Sequence, residues 1–392
     1  ISATQIAALD ATQAAGIETA DLVVMSSTQL QALSAKAIAG LTTSQVAALT
    51  TAQVDKLTAA QVSSLTTAQV LALTTDQAQK LTTTQVAALS ATQVKALGTD
   101  DLAAFSSSQI QSLSASGVGS MSTAQVAAIT TAQVDKLTAA QVQALSTAQV
   151  AALTNAQVGK LTTGQVAALS AQQIVGMETA DLAALSSDQL QSLSASAVAA
   201  LSTAQVASIT TAQISKLTAN QVKALSSTQV AALTEAQVGE LTTAQVSVLS
   251  ATQVKALVTA DVAKLSTAQI QAVTASAVAA MSTAQVKALT TTQAEKLTAA
   301  QVASLTATQV AGLDTEDLAK FSSSQLQALN ATTVAALSTT QVAALTTDQI
   351  DKLTATQVKA LTTAQVASLT DAQVAKLTTT QVGALTATQI KG

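Results

Sequence analysis

The chain is 392 residues long, with 48% hydrophobic residues, 1% aromatics, no Trp, Tyr, Cys, His or Pro, and a formal net charge of −4. Without Cys there are no disulfides or thiolate metal sites, and without His the usual bases and transition-metal ligands are missing; neither enzyme chemistry nor a cofactor is expected. The 17 basic residues, all Lys, read as single charges scattered along the chain and make no nucleic-acid groove, and no apolar run approaches the roughly 20 residues of a membrane span.

From Ile1 onward every eighth residue is apolar: Leu9, Ile17, Met25, Leu33, Leu41, and so on to Leu369, Leu377 and Leu385. No insertion breaks the phase, and the chain divides into 49 octads with no residue left over. The sixth position is also aliphatic, as at Ile6, Leu22, Leu30, Val46 and Val54. Position two is Ser or Thr except at Asp10, Glu18, Gly98, Glu178, Val258, Asp314 and Asn330, and position five is usually Gln. The consensus is Leu-Thr-Thr-Ala-Gln-Val-Ala-Ala, and the whole of 1–392 reads as a single repeat array without a globular domain.

One long helix cannot use this pattern, because eight residues overshoot two turns by about 80° and would wind the apolar pair around the cylinder. A flat strand fails because positions one and six point to opposite faces. The chain must therefore bend once per octad. Ser or Thr followed three residues later by Gln is a capping box, as in Thr42 and Gln45 or Thr50 and Gln53. Positions one and six are then the two partners of a hydrophobic staple, as Leu41 and Val46. Each octad thus encodes a fresh helix of about six residues. Such helices are unstable alone, so successive octads must share an interior, with Ala at positions seven and eight allowing close approach. The expected fold is an all-α solenoid of very short capped helices, with two to four octads per coil. A β-solenoid is the alternative, favoured by Thr and Val, but Ala, Gln and Leu are abundant and corner glycines are not regularly placed.

Five octads depart together: Glu18 to Leu22, Gly98 to Leu102, Glu178 to Leu182, Val258 to Val262, and Asp314 to Leu318. In each, Asp replaces Gln at position five, and sixteen residues later that position becomes small, at Ala37, Gly117, Ala197, Ala277 and Thr333. Longer blocks therefore start near 17, 97, 177, 257 and 313, the fourth shortened by three octads. A cation such as calcium is one reading of Glu18, Asp21, Asp101, Glu178, Asp181, Asp261, Asp314 and Asp317, with Glu316 beside the last pair. Calcium needs six to eight oxygens, and an octad brings at most two or three carboxylates. The favoured reading is first-turn carboxylates stabilised by the helix dipole, with the cap moved to Thr19, Thr99, Thr179, Thr259 and Thr315. These octads would set a bend or a lateral contact.

The run Leu145 to Leu153 resembles the first helix of transcription activator-like effector repeats, but their second helix and base-reading loop have no counterpart here, so DNA recognition does not carry over. The tandem octads resemble more closely the Leu-Thr-Thr-x-Gln-Val repeats of very large bacterial surface or secreted proteins of adhesin- or haemagglutinin-like type. That resemblance implies an extracellular or cell-surface structural protein whose main partner is itself, with the cell surface or matrix beyond. The first octad has neither an initiator Met nor a signal peptide and, like the last, looks like an interior one; both read as open ends of a filament. A solenoid scaffold for adhesion and an ice-binding Thr array are the alternative functions.

Overall fold

The computed structural model describes residues 1–391. It contains 49 α-helices of four to six residues, one in every octad, from Ala3–Ala7 to Ala387–Lys391, and no strand among the described residues. The fold is an all-α solenoid, and the β alternative is excluded. The chain forms two compact units, Ile1–Leu201 and Ser202–Gly392, each built on the same octad rule.

Each corner is made by two extended residues. In a representative pair of octads, Leu49 ends one helix at φ −53°, ψ 135°, and Thr50 caps the next at φ −68°, ψ 154°. No described residue has a positive φ, which is why the corners need no glycine. The capping box is present as read from the sequence: Gln45 N–H donates to Thr42 Oγ1 at 3.2 Å, and Thr42 N–H donates to Gln45 Oε1 at 2.6 Å.

The glutamine does more than the box requires. Its Nε2 points across the coil and donates to the carbonyls of Ala14 at 3.0 Å and Ile17 at 2.7 Å, 31 and 28 residues earlier. The same bonds recur up the array. Gln141 donates to Ile110 and Leu113 at 2.9 and 2.7 Å, and Gln357 to Leu326 and Leu329 at 2.6 and 2.8 Å. Glu, the other residue of a capping box, accepts as well as Gln but has no N–H to give. This ladder explains the choice of Gln.

The span fixes the coil. A helix packs on the third helix after it, as Ala11–Ala15 on Ala35–Gly40 and Ala91–Ala96 on Ala115–Ser120, while the Gln ladder reaches the end of the fourth helix before it. One turn therefore holds between three and four octads. Position six is the innermost, with Val54, Val86, Leu102 and Val302 all 0% exposed, and the position-one leucines line the same interior. Helices approach most closely where position five is small. At Gly40 an added Cβ would lie 2.5 Å from Ala11 Cα, and at Gly119 2.7 Å from the Ala144 carbonyl oxygen. Ala37, Ala197 and Ala277, all 0% exposed, fill the place of the glutamine in their octads.

Candidate functional site

The five acidic octads keep the helix phase. Their helices begin at Thr19, Thr99, Thr179, Thr259 and Thr315, so these threonines are first helical residues and the caps stay at Glu18, Gly98, Glu178, Val258 and Asp314. This corrects the expectation that the cap moves to Thr. In three of the five, Asp at the third helical position still accepts the cap's N–H: Asp101 from Gly98 at 3.0 Å, Asp181 from Glu178 at 2.9 Å and Asp261 from Val258 at 3.2 Å. Half of the box survives, and that half needs no hydroxyl at position two.

Asp101, Asp181, Asp261 and Asp317 are buried at 1–5% exposure, whereas Asp21 and the cap residues Glu18, Glu178 and Asp314 are exposed. Buried and exposed carboxylates of one octad thus look in different directions. Among the described residues no group of three or more Asp or Glu is placed to hold a metal ion. Two of the buried carboxylates meet a threonine of the third octad before them. Thr75 Oγ1 donates to Asp101 Oδ1 at 3.0 Å, and the Thr291 hydroxyl bonds Asp317. Burial raises the pKa of Asp181, against the Glu178 N–H bond and with the Glu178 charge. Burial also raises Asp261, against the Val258 N–H bond and with the Glu235 charge. Asp317 is raised by burial too, against the Thr291 bond, with Asp314 and Glu316 adding to it.

The fold also shows a pattern that the linear sequence hides. Most of the carboxylates that look scattered, and ten of the 17 lysines, are stacked on one edge of each unit. In the first unit this edge is octads 17–24, 49–56, 73–80, 97–104, 129–136, 153–160 and 177–184. Direct contacts link the steps. Gln53 bonds the Leu22 carbonyl at 2.9 Å, helix Thr51–Lys56 packs on Thr75–Lys80, and Thr75 meets Asp101. Gln133 bonds the Leu102 carbonyl at 2.9 Å, and Thr131–Val134, Asn155–Val158 and Thr179–Ala184 stack in order. The second unit repeats this with octads 209–216, 233–240, 257–264, 289–296, 313–320, 345–352 and 369–376. There Lys264 lies 3.6 Å from Glu235, Gln293 bonds the Val262 carbonyl at 2.9 Å, and Gln349 bonds the Leu318 carbonyl at 2.9 Å.

These two edges hold every acidic residue of the chain except Asp10 and Asp188. The first carries nine carboxylates and four lysines, a net −5, and the second ten carboxylates and six lysines, a net −4. Away from the edge, the second unit has five lysines and no carboxylate, a net +5. Steps of three and four octads produce the stacking, and nothing in the sequence fixes that step until the coil is known.

One family description, ALTTAQ repeat, matches residues 14–51, 79–171 in overlapping segments, 174–211, 256–291, 318–355 and 355–387, well over half of the chain. The chain belongs to the ALTTAQ repeat family. No curated protein matches the sequence. The six letters of the ALTTAQ repeat, as at Ala48 to Gln53, hold the parts that the geometry uses. Half-buried Ala and core Leu come first, then the capping Thr, two surface residues, and the Gln that closes the box and climbs to the coil before it. No helix among the described residues is long and apolar enough to cross a membrane.

Proposed function

We propose that this ALTTAQ array is a structural protein that forms an extracellular filament, fibre or surface stalk, in keeping with its resemblance to the repeats of large bacterial surface proteins. The observation that carries this reading is the glutamine ladder. One face of a coil presents Gln amide donors and the other presents carbonyl pairs that can accept a further hydrogen bond, at a spacing that recurs along the array, so one coil is complementary to the next. In the outermost described coils the same core positions are open. A hollow of about 660 Å³ is bordered by Ile1, Ile6, Leu9 and Ile17 together with Glu18, Asp21 and Gln29, and an apolar one of about 380 Å³ by Val366, Leu369, Val374 and Leu377. A further coil, whether from a longer chain or from a second copy, closes such a face and lengthens the array, and a head-to-tail contact that does not close on itself gives a fibre. The role proposed is mechanical and spatial, with no catalysis, and the surface it presents is mainly Ala, Ser and Thr.

Electron microscopy of the purified chain tests this. Threads longer than one molecule are expected, shortened by Gln5→Ala with Gln13→Ala, which removes exposed ladder donors. Dispersed compact particles of the unmodified protein would end the reading.

A further inference from the structure

We infer that copies of this chain associate side by side, the acidic edge of one lying against the lysine-bearing flank of the second unit of its neighbour. The inference deepens the fibre reading by naming the partner and the surface. Three observations support it. First, charge is sorted: the edges are net −5 and −4, and the remaining octads of the second unit hold five lysines and no carboxylate, of which only Lys287 reaches an edge carboxylate, Asp314 at 3.9 Å. Second, the flank lysines Lys223, Lys255 and Lys359 stand at position seven, exposed and clear of the core. Third, charge is sparse, with Asp, Glu and Lys together only 10% of residues, and edge lysines are engaged by edge carboxylates, as Lys56 by Asp55 at 2.8 Å and Lys352 by Asp351 at 2.8 Å, so the positive charge left for a neighbour is that of the flank. Two acidic edges repel each other, whereas edge on flank brings opposite potentials together. Because the two surfaces differ, the contact is heterologous and can propagate from copy to copy. The neutral Ser, Thr and Ala between the charges allow close approach and leave few charges to desolvate at the centre of the contact.

The test uses the full chain, viewed by cryo-electron microscopy and followed by sedimentation, at about 0.01 M and about 1 M salt, where the screening length is about 30 Å and about 3 Å. Side-by-side bundles at low salt that fall apart at high salt are expected. The triple variant Lys223→Glu, Lys255→Glu, Lys359→Glu should keep its helical circular dichroism, since all three side chains are exposed, and lose lateral association at both salts. Adding Asp76→Lys, Asp348→Lys and Asp371→Lys, three exposed edge positions, should restore it. Bundles that persist in the triple variant, or that ignore salt, overturn the inference. So do single threads of the unmodified chain at low salt, which leave the fibre reading standing. Compact particles that form salt-sensitive multimers would support the inference while ending the fibre reading, and compact particles that stay single would end both.

Discussion

Replacing Gln141 with Glu keeps the acceptor for the Thr138 N–H and removes the donor for the Ile110 and Leu113 carbonyls. It also places a charge in a 2% exposed site. The expected loss is roughly 3 kcal/mol at neutral pH, read from the midpoint of urea unfolding, and it should exceed that of Thr138→Ala, where one cap is lost at about 1 kcal/mol. The acidic octads make the opposite experiment available. Asp181, Asp261 and Asp317 have folded pKa values raised chiefly by burial. For a raised carboxyl, the folded state favours the protonated form, so its contribution to stability is full below the unfolded value and is lost as pH rises through the folded one. Thermal melts should therefore show a component of stability gained as pH falls from neutral toward about 4. Asp261→Gln should remove part of that component and raise the melting temperature at neutral pH, because the amide can reach the ladder carbonyls again. A variant that melts lower at neutral pH would show that the carboxylate is held by something else.

The helices themselves were legible from the octad. Thr42 and Gln45 announce a cap, Leu41 and Val46 a staple, and the mismatch between the octad and a whole number of helical turns rules out one continuous helix. Two things were not legible. The first was the destination of the Gln amide, because its acceptors lie a whole coil away in the chain and no local rule selects them. The second was the charged edge, because it emerges only when octads three and four apart are stacked. Glycine shows how far helix spacing controls what an element tolerates. At Gly119 a methyl group would meet the Ala144 backbone at 2.7 Å, while nothing lies within 4 Å of a Cβ at Gly239. Gly119→Ala should destabilise by about 1–3 kcal/mol, and Gly239→Ala should stabilise by about 0.5–1 kcal/mol. Paired melting curves would separate the two, and equal shifts would mean that the helices can slide apart at no cost.

For each unit taken whole, most octads offer the same donors, acceptors and core pair, so length is adjustable only in steps of eight. Deleting 137–144 should leave the helical circular dichroism per residue and the melting temperature little changed. Deleting 137–140 places polar positions where Leu and Val belong and should melt the neighbouring coils. A half-octad deletion that is tolerated would contradict the octad as the structural step. The chain already contains one whole-octad change. Asp21, Asp101, Asp181 and Asp261 follow one another at ten octads, and Asp317 follows after seven. The three missing octads are close to one coil, and the shortened block still returns its Asp317 to the edge, above Thr291.

The direction of the ladder has a consequence for how such a molecule is made. Every motif glutamine reaches toward residues that precede it, so when a coil emerges from the ribosome its acceptors are already in place. No ladder glutamine waits for a segment yet to be synthesised, and the loop to be closed stays near 30 residues however many coils follow. Folding can keep pace with translation, with a growing end about one coil deep, and lengthening the gene adds time without adding a harder step.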